Sequence, residues 1–86
     1  MDAMSSQAVG KRLRLLRSAK GIESQDLMAQ LLGVGKNRYN NWETGDNNIP
    51  VPFAIEVCKI TGADLDYIYR GDKAGLPFNL AQALSK

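Results

Sequence analysis

The sequence contains no histidine and a single cysteine, Cys58. The lack of histidine excludes histidine-based general acid–base catalysis, triads with a His base and His-ligated metal sites. One cysteine can form neither an internal disulfide nor a Cys-rich zinc site. Three aspartates of the second half, Asp64, Asp66 and Asp72, are too scattered along the chain to suggest a metal site. We therefore expect no metal, no cofactor and no small-molecule ligand, and we predict that the chain is not an enzyme, because no cluster of titratable groups suggests a pocket.

Long apolar runs are also missing. No stretch approaches 18 consecutive apolar residues, so we expect no membrane span. The N-terminal segment, MDAMSSQAVGKR, has no apolar core after a basic stretch and does not fit a signal peptide. These absences predict a cytoplasmic protein with Cys58 reduced.

The excess of charge is small, because the 86 residues include 11 basic and 9 acidic groups for a net charge of +2. Its distribution is more informative than its sum. Residues 1–43 carry seven basic and four acidic groups, whereas residues 44–86 carry four basic and five acidic groups. A basic half beside a slightly acidic one fits a molecule with one side facing a polyanion, although a solvated basic helix would give the same pattern.

Apolar spacing predicts an all-helical chain of one domain without strands, since 86 residues leave no room for a second domain. A first helix should follow a Ser5 or Ser6 cap and end at Gly21. A second, short helix should start at Ser24 with a broad apolar face (Leu27, Met28, Leu31, Leu32) and stop at Gly33. A third should run over 36–43, a fourth from about Pro52 to Gly62 with Ile55 among its apolar residues, and a fifth over 65–69.

The second and third segments have the outline of a helix-turn-helix, two short helices joined by a turn that contains glycine. Tyr39 and Trp42, three residues apart, should bury one face of the third helix. The opposite face is rich in asparagine and arginine, the side chains that pair bidentately with adenine and guanine in the major groove. Three asparagines in five positions make a poor helix, which favours a functional use for them over a merely solvated face.

With these features the chain resembles the phage repressor and Cro type of helix-turn-helix, also called XRE-type. The resemblance covers about residues 7–71 and implies a five-helix bundle with a short C-terminal extension. The residues that carry it include Gln25, Ala29, Gly33-Val34, Trp42-Glu43, Gly45, Pro50, Gly62, Leu65-Asp66-Tyr67 and Gly71.

The resemblance also implies roles for single residues. Lys36, Asn37 and Asn41 match the base-reading positions of the family. Arg38 and Asn40 flank them and complete the set of expected base readers, with a phosphate as the other contact expected of Arg38 because it lies toward the flank. Gln25, at the start of the second helix, and Thr44, just past the third, match positions that contact phosphates. Arg17 and Glu43 match an ion pair that ties the first helix to the third.

The chain departs from the family pattern at three places. Glu23 looks like an insertion before the second helix, Gly35 replaces the usual Ser or Thr cap of the third helix, and Asp46 stands in a loop where some relatives have lysines. Because Asp46 would repel phosphates, affinity for the DNA backbone should rest on basic side chains elsewhere, chiefly Lys11 and Arg14 of the first helix, with Arg12, Lys36 and Arg38.

These observations predict a sequence-specific regulator that binds double-stranded DNA as a repressor would, by occupying an operator. Residues 1–71 should form the DNA-binding domain, and residues 72–86 a tail that either pairs two copies into a homodimer or folds back onto the core. The alternative is a protein-interaction module on the same fold, such as an antitoxin or an adaptor, which the acidic loop and the mild net charge would suit.

Overall fold

The computed structural model describes residues 2–85, which form six α-helices. The longest of these helices, α1, has 14 residues, and none formed by the described part of the chain is long and apolar enough to cross a membrane. In chain order the helices are α1 (Ser6–Ala19), α2 (Gln25–Leu32), α3 (Lys36–Thr44), α4 (Val51–Thr61), α5 (Leu65–Arg70) and α6 (Phe78–Leu84).

Three of the helices begin at a side chain that accepts a hydrogen bond from the backbone of their first turn. Ser5 caps α1, Ser24 caps α2 and Asp64 caps α5, each accepting from an N–H group three residues later. These caps satisfy donors that have no partner inside the helix. The first turn of α3 lacks this support, because Gly35 stands at its N-cap without a side chain, as the sequence predicted.

The expectation of five helices is wrong for residues 2–85, which hold a sixth, α6, in the segment that we described as an extension. Pro77 precedes its first residue, where proline is tolerated because the N–H group it lacks would have no helical partner. Leu80 is buried and packs into the core. The side of α6 that carries Ala83 and Leu84 lies beside Leu15 and Ala19 of α1. Burial of Leu80 gives this short helix a tertiary anchor, which a segment of this length needs in order to stay folded.

The core is a single cluster of apolar side chains drawn from all six helices. Its largest fully buried members include Tyr39 of α3, Tyr67 of α5 and Leu13 and Leu16 of α1. Trp42 is buried beside Tyr39, their rings meeting edge to face with centroids 6.1 Å apart. The third helix is therefore fixed to the bundle by its two aromatic residues, as their spacing predicted.

The predicted apolar faces of α2 and α4 are too broad. Leu27 and Leu31 of α2 are 44% and 53% exposed, and Ile55 of α4 is 40% exposed. Helix α2 buries only a narrow stripe of Met28, Ala29 and Leu32 (the remaining apolar positions point to solvent) because its neighbours cover one side of it. Periodicity alone does not tell how wide a stripe the neighbouring helices will cover.

Helices α1 and α3 approach each other so closely that side chains are excluded at two crossing points. A Cβ atom added to Gly10 would lie 2.5 Å from the carbonyl oxygen of Trp42. At the other point, Gly45 has a φ of 85° and its backbone lies against that of Gln7. The Ser6 hydroxyl donates to the Gly45 carbonyl oxygen at 2.7 Å, which closes this end of the contact.

Replacement of Gly10 by alanine is expected to destabilise the fold. In an exposed helix the change would stabilise by about 1 kcal/mol, because alanine is the better helix former. Here the added methyl meets backbone that has no room to shift, so a net loss of about 1–3 kcal/mol is expected. Chemical denaturation measures it, with the exposed Ser18→Ala on the same helix as control. A gain in stability would contradict the close crossing.

Candidate nucleic-acid interface

Helices α2 and α3 are joined by a tight turn that ends α2 and redirects the chain. Gly33 has a φ of 73°, a left-handed conformation that favours glycine. The N–H groups of Gly33 and Val34 donate back to the carbonyl oxygens of Gln30 and Ala29 at 3.1 and 3.0 Å. Ala29 of α2 is buried in the core. This arrangement of two short helices is a helix-turn-helix.

Helix α3 has one buried and one open face. Tyr39, Trp42 and Glu43 are its buried residues. Asn37, Asn41 and Thr44 lie opposite them, since residues three and four apart share a face of a helix. The open face therefore presents amide and hydroxyl groups that can both donate and accept hydrogen bonds.

The five residues that the sequence assigned to base reading all reach the surface of α3, in different settings. Lys36, Asn37 and Arg38 are exposed, and Asn40 and Asn41 are half-buried. Lys36 and Asn40 lie on one flank of the Asn37–Asn41 line. Arg38 lies on the other flank, next to α4, where its guanidinium stands over the rings of Trp42 and Phe53.

The two positions matched to phosphate contacts lie at the ends of the motif. Gln25 is the first residue of α2, and its side-chain Nε2 donates to Glu43 Oε1 at 3.0 Å. Thr44 is the exposed last residue of α3, and its hydroxyl donates to the Asn41 carbonyl oxygen at 3.3 Å. Both side chains thus have intramolecular partners in the free protein.

The basic residues of α1 divide into two groups. Lys11 and Arg14 are exposed and three residues apart, and Arg14 lines a depression at the α1–α2 turn with Arg17 and Glu23. Arg12, by contrast, is engaged in the fold: its Nε donates to the Ile68 carbonyl oxygen at 2.9 Å, and its Nη2 donates to that of Ala3. Arg12 therefore anchors the end of α5, and its guanidinium is less free for an external phosphate than the sequence suggested.

Glu43 is the point where α1, α2 and α3 meet. Its carboxylate accepts hydrogen bonds from Arg17 Nε at 2.8 Å and Arg17 Nη2 at 3.3 Å, from Gln25 Nε2 at 3.0 Å and from the Tyr39 hydroxyl. The side chains of Arg17 and Glu43 are only 12% and 3% exposed. Arg17 Nη1 also donates to the Ile22 carbonyl oxygen at 3.0 Å, so the same guanidinium holds the α1–α2 turn.

These contacts shift the pKa values of the groups involved. Burial by itself would raise the pKa of Glu43, but the hydrogen bonds from Arg17, Tyr39 and Gln25 outweigh it and hold that pKa below its ordinary value of 4.5. Burial and the Glu43 carboxylate together raise the pKa of the Tyr39 hydroxyl. At neutral pH, Glu43 is therefore an anion and Tyr39 a neutral donor to it.

Four contacts of this region were missed at the sequence level. The Tyr39–Glu43 and Arg38–Trp42 pairs are four residues apart on one helix, so their spacing was a usable signal. The hydrogen bond from Gln25 to Glu43 and the stacking of Arg38 on Phe53 join residues distant in sequence. Such pairs depend on how the helices pack, and no local sequence pattern predicts them.

The fold and this motif define the class of the protein, and comparison with known sequences agrees. The family described as "Helix-turn-helix domain" matches residues 8–67. The chain belongs to this family, and specifically to its XRE-like phage type. It is 30% identical over 76 residues to YonR, an uncharacterized HTH-type transcriptional regulator derived from the SPbeta prophage of Bacillus subtilis (strain 168). The aligned part covers 88% of this chain and 68% of that relative. No solved structure matches the chain.

Replacement of Glu43 by glutamine should destabilise the fold by about 3 kcal/mol. The substitution keeps the size of the side chain but leaves the Arg17 guanidinium buried without a countercharge, which is costly for a buried pair. Glu56→Gln, which breaks an exposed pair with Lys59, should cost well under 1 kcal/mol. Urea titration of both variants provides the comparison, and equal small losses would show that the pair at Glu43 is unimportant.

The same carboxylate should make stability depend on pH in the acid range. Because the pKa of Glu43 is lower in the folded protein than in the unfolded chain, the unfolded chain takes up the proton first as the pH falls. The contribution of Glu43 is thus complete above pH 4.5 and is lost as the pH falls through the folded-state pKa. The difference in unfolding free energy between wild type and Glu43→Gln should shrink over that window. A difference in unfolding free energy that does not change with pH would refute this contribution of the Glu43 carboxylate.

Proposed function

We propose that this protein is a transcriptional regulator that binds double-stranded DNA in a sequence-specific manner, with α3 in the major groove. The open face of α3 carries the proposal. It presents Asn37 and Asn41 on a helix that is held by its opposite face, which is how a recognition helix presents side chains to base edges. The prophage relative, described as an HTH-type transcriptional regulator, supports the same class.

The dimensions of α3 suit this role. Its nine residues span roughly 13 Å at about 1.5 Å per residue. A helix with its side chains is about 10–12 Å across and fits a groove about 12 Å wide. In this pose Asn37 and Asn41 face the floor of the groove, and Lys36 and Asn40 face bases or sugars along one edge.

Backbone contacts would come from both sides of the motif. Gln25 and Thr44 stand at the start of α2 and the end of α3, and Lys11 and Arg14 add exposed charge from α1. The Gln25 amide retains donor capacity beyond its bond to Glu43, since it carries two N–H groups. A phosphate bound there would accept a hydrogen bond from the Gln25 amide, whose orientation is already fixed by its bond to Glu43.

We infer that the protein acts as a homodimer, as repression through a two-fold symmetric operator requires. The C-terminal segment, residues 72–86, offers a surface for pairing. Phe78 is 73% exposed on α6, whereas Leu80 of the same helix is buried in the chain's own core. On this helix Phe78 is thus available for pairing two copies, whereas Leu80 folds back onto the chain's own core.

Loss of base reading should follow from replacing Asn37 and Asn41 with alanine. The double variant is expected to bind a selected operator at least about 30-fold more weakly and to bind mixed-sequence DNA as the wild type does, because each of the two lost bidentate contacts is worth roughly 1–3 kcal/mol. Lys11→Ala and Arg14→Ala are the matched comparison. They should weaken binding to both DNAs alike and reduce the slope of log affinity against log salt by about 0.9 each.

Fluorescence anisotropy with labelled duplexes at several salt concentrations measures both effects. Unchanged operator affinity in the Asn37/Asn41 variant would remove these residues from base reading. Absence of salt-dependent binding by the wild type would instead favour a protein-interaction module on the same fold.

Dimerisation can be tested through Phe78. Replacement by glutamate should leave the fold intact, because the ring is exposed, and should shift sedimentation from dimer to monomer. Leu80→Ala is the contrasting variant and should lower the unfolding free energy of the chain by about 2–3 kcal/mol. A wild-type protein that stays monomeric at micromolar concentration and on its operator would contradict the homodimer.

A further inference from the structure

Arg38 is an exposed cation whose guanidinium lies against two aromatic rings. Its Cζ atom lies 5.3 Å from the centre of the Trp42 ring and 4.9 Å from that of Phe53. The two rings are themselves in contact, with centroids 5.3 Å apart and planes inclined by 40°. Among the described residues no Asp or Glu pairs with Arg38. The guanidinium is thus oriented by ring faces alone.

The Arg38 guanidinium donates no hydrogen bond to any other group within residues 2–85. The arginines that donate side-chain hydrogen bonds within residues 2–85 are Arg12 and Arg17. Stacking occupies the flat face of a guanidinium, while its donors point outward in the plane. Arg38 therefore combines a fixed position with five unused N–H donors, the fork that matches the oxygens of a phosphate.

The position of the stack separates Arg38 from the base-reading line. Trp42 belongs to the buried face of α3 and Phe53 to the first turns of α4, so the stack draws Arg38 toward α4 and away from Asn37 and Asn41. A helix about as wide as the groove it enters brings its flanks against the groove walls, which are phosphate backbone. The flanking guanidinium then meets a phosphate and not a base edge.

We propose that Arg38 binds a backbone phosphate of the DNA and that Phe53, which does not touch DNA, is a positioning residue that holds the Arg38 guanidinium ready for it. The inference rests on the proposed function and deepens it. Free arginine side chains lose rotamer freedom when they bind, and an arginine already stacked loses less. The aromatic pair therefore increases affinity without adding a contact to DNA.

The test is a double-mutant cycle on binding to a mixed-sequence duplex of about 20 base pairs. Arg38→Ala should weaken binding and lower the salt slope by about 0.9, the value for one phosphate contact. Phe53→Leu keeps apolar bulk but removes the ring, and should weaken binding about threefold with the slope unchanged. In the Arg38→Ala background, Phe53→Leu should have no further effect. Arg38→Lys should keep the slope and lose affinity, because lysine is not a planar fork.

Controls separate this mechanism from loss of fold and of charge. Arg70→Ala removes an exposed charge paired with Asp66 on α5 and should leave the salt slope at the wild-type value. Unfolding curves identify a temperature at which every variant is folded. Fluorescence of Trp42, the single tryptophan, should change in Arg38→Ala and in Phe53→Leu without DNA, because both remove a neighbour of its ring.

Four results would overturn the inference, and the first three leave the proposed function standing. Binding unchanged in Arg38→Ala would leave the stack a purely structural feature, while the wild type's own binding upheld the proposed function. A loss confined to the selected operator, with mixed-sequence binding intact, would make Arg38 a base reader. A Phe53→Leu defect that persists in the Arg38→Ala background would show that Phe53 acts on α3 as a whole. Wild-type protein without salt-dependent binding would overturn both the inference and the proposed function.

Discussion

The buried carboxylate of Glu43 is the interaction on which the arrangement of the motif depends. It lies on α3 and accepts from Arg17 of α1, Gln25 of α2 and Tyr39 of its own helix. A buried anion is costly unless donors surround it, and here three side chains supply them. The position of α3 relative to both neighbours is therefore set by directional bonds, in addition to apolar packing that would tolerate small shifts.

The rest of α3 is organised around this anchor. Gly10 lets α1 approach the backbone of Trp42 and Glu43, and Gly45 lets the end of α3 lie against Gln7. Tyr39 and Trp42 fill the core beside the carboxylate. One face of α3 makes all of these contacts, and they keep the helix folded although positions 37, 40 and 41 hold poor helix formers. The opposite face is not needed for packing. The stability of α3 comes from tertiary contacts, and its exposed side chains are available for recognition.

Much of this architecture was predictable from the sequence, for reasons that are local. Caps at Ser24 and Asp64, the left-handed Gly33 and the buried Tyr39–Trp42 pair each follow from a few neighbouring residues. Helix α6 was missed, because its stability depends on where Leu80 packs. The exposure of Leu27 and Leu31 and the stacking of Arg38 on Phe53 likewise depend on how helices are placed around one another.

Selection of bound fragments from random DNA by the wild-type protein is the most direct measurement of base reading by α3. If α3 reads base sequence, one palindromic sequence with half-sites about one helical turn apart should be enriched, since two copies of α3 related by two-fold symmetry would read it. A bound pool with no more sequence preference than the starting pool would contradict base reading by α3.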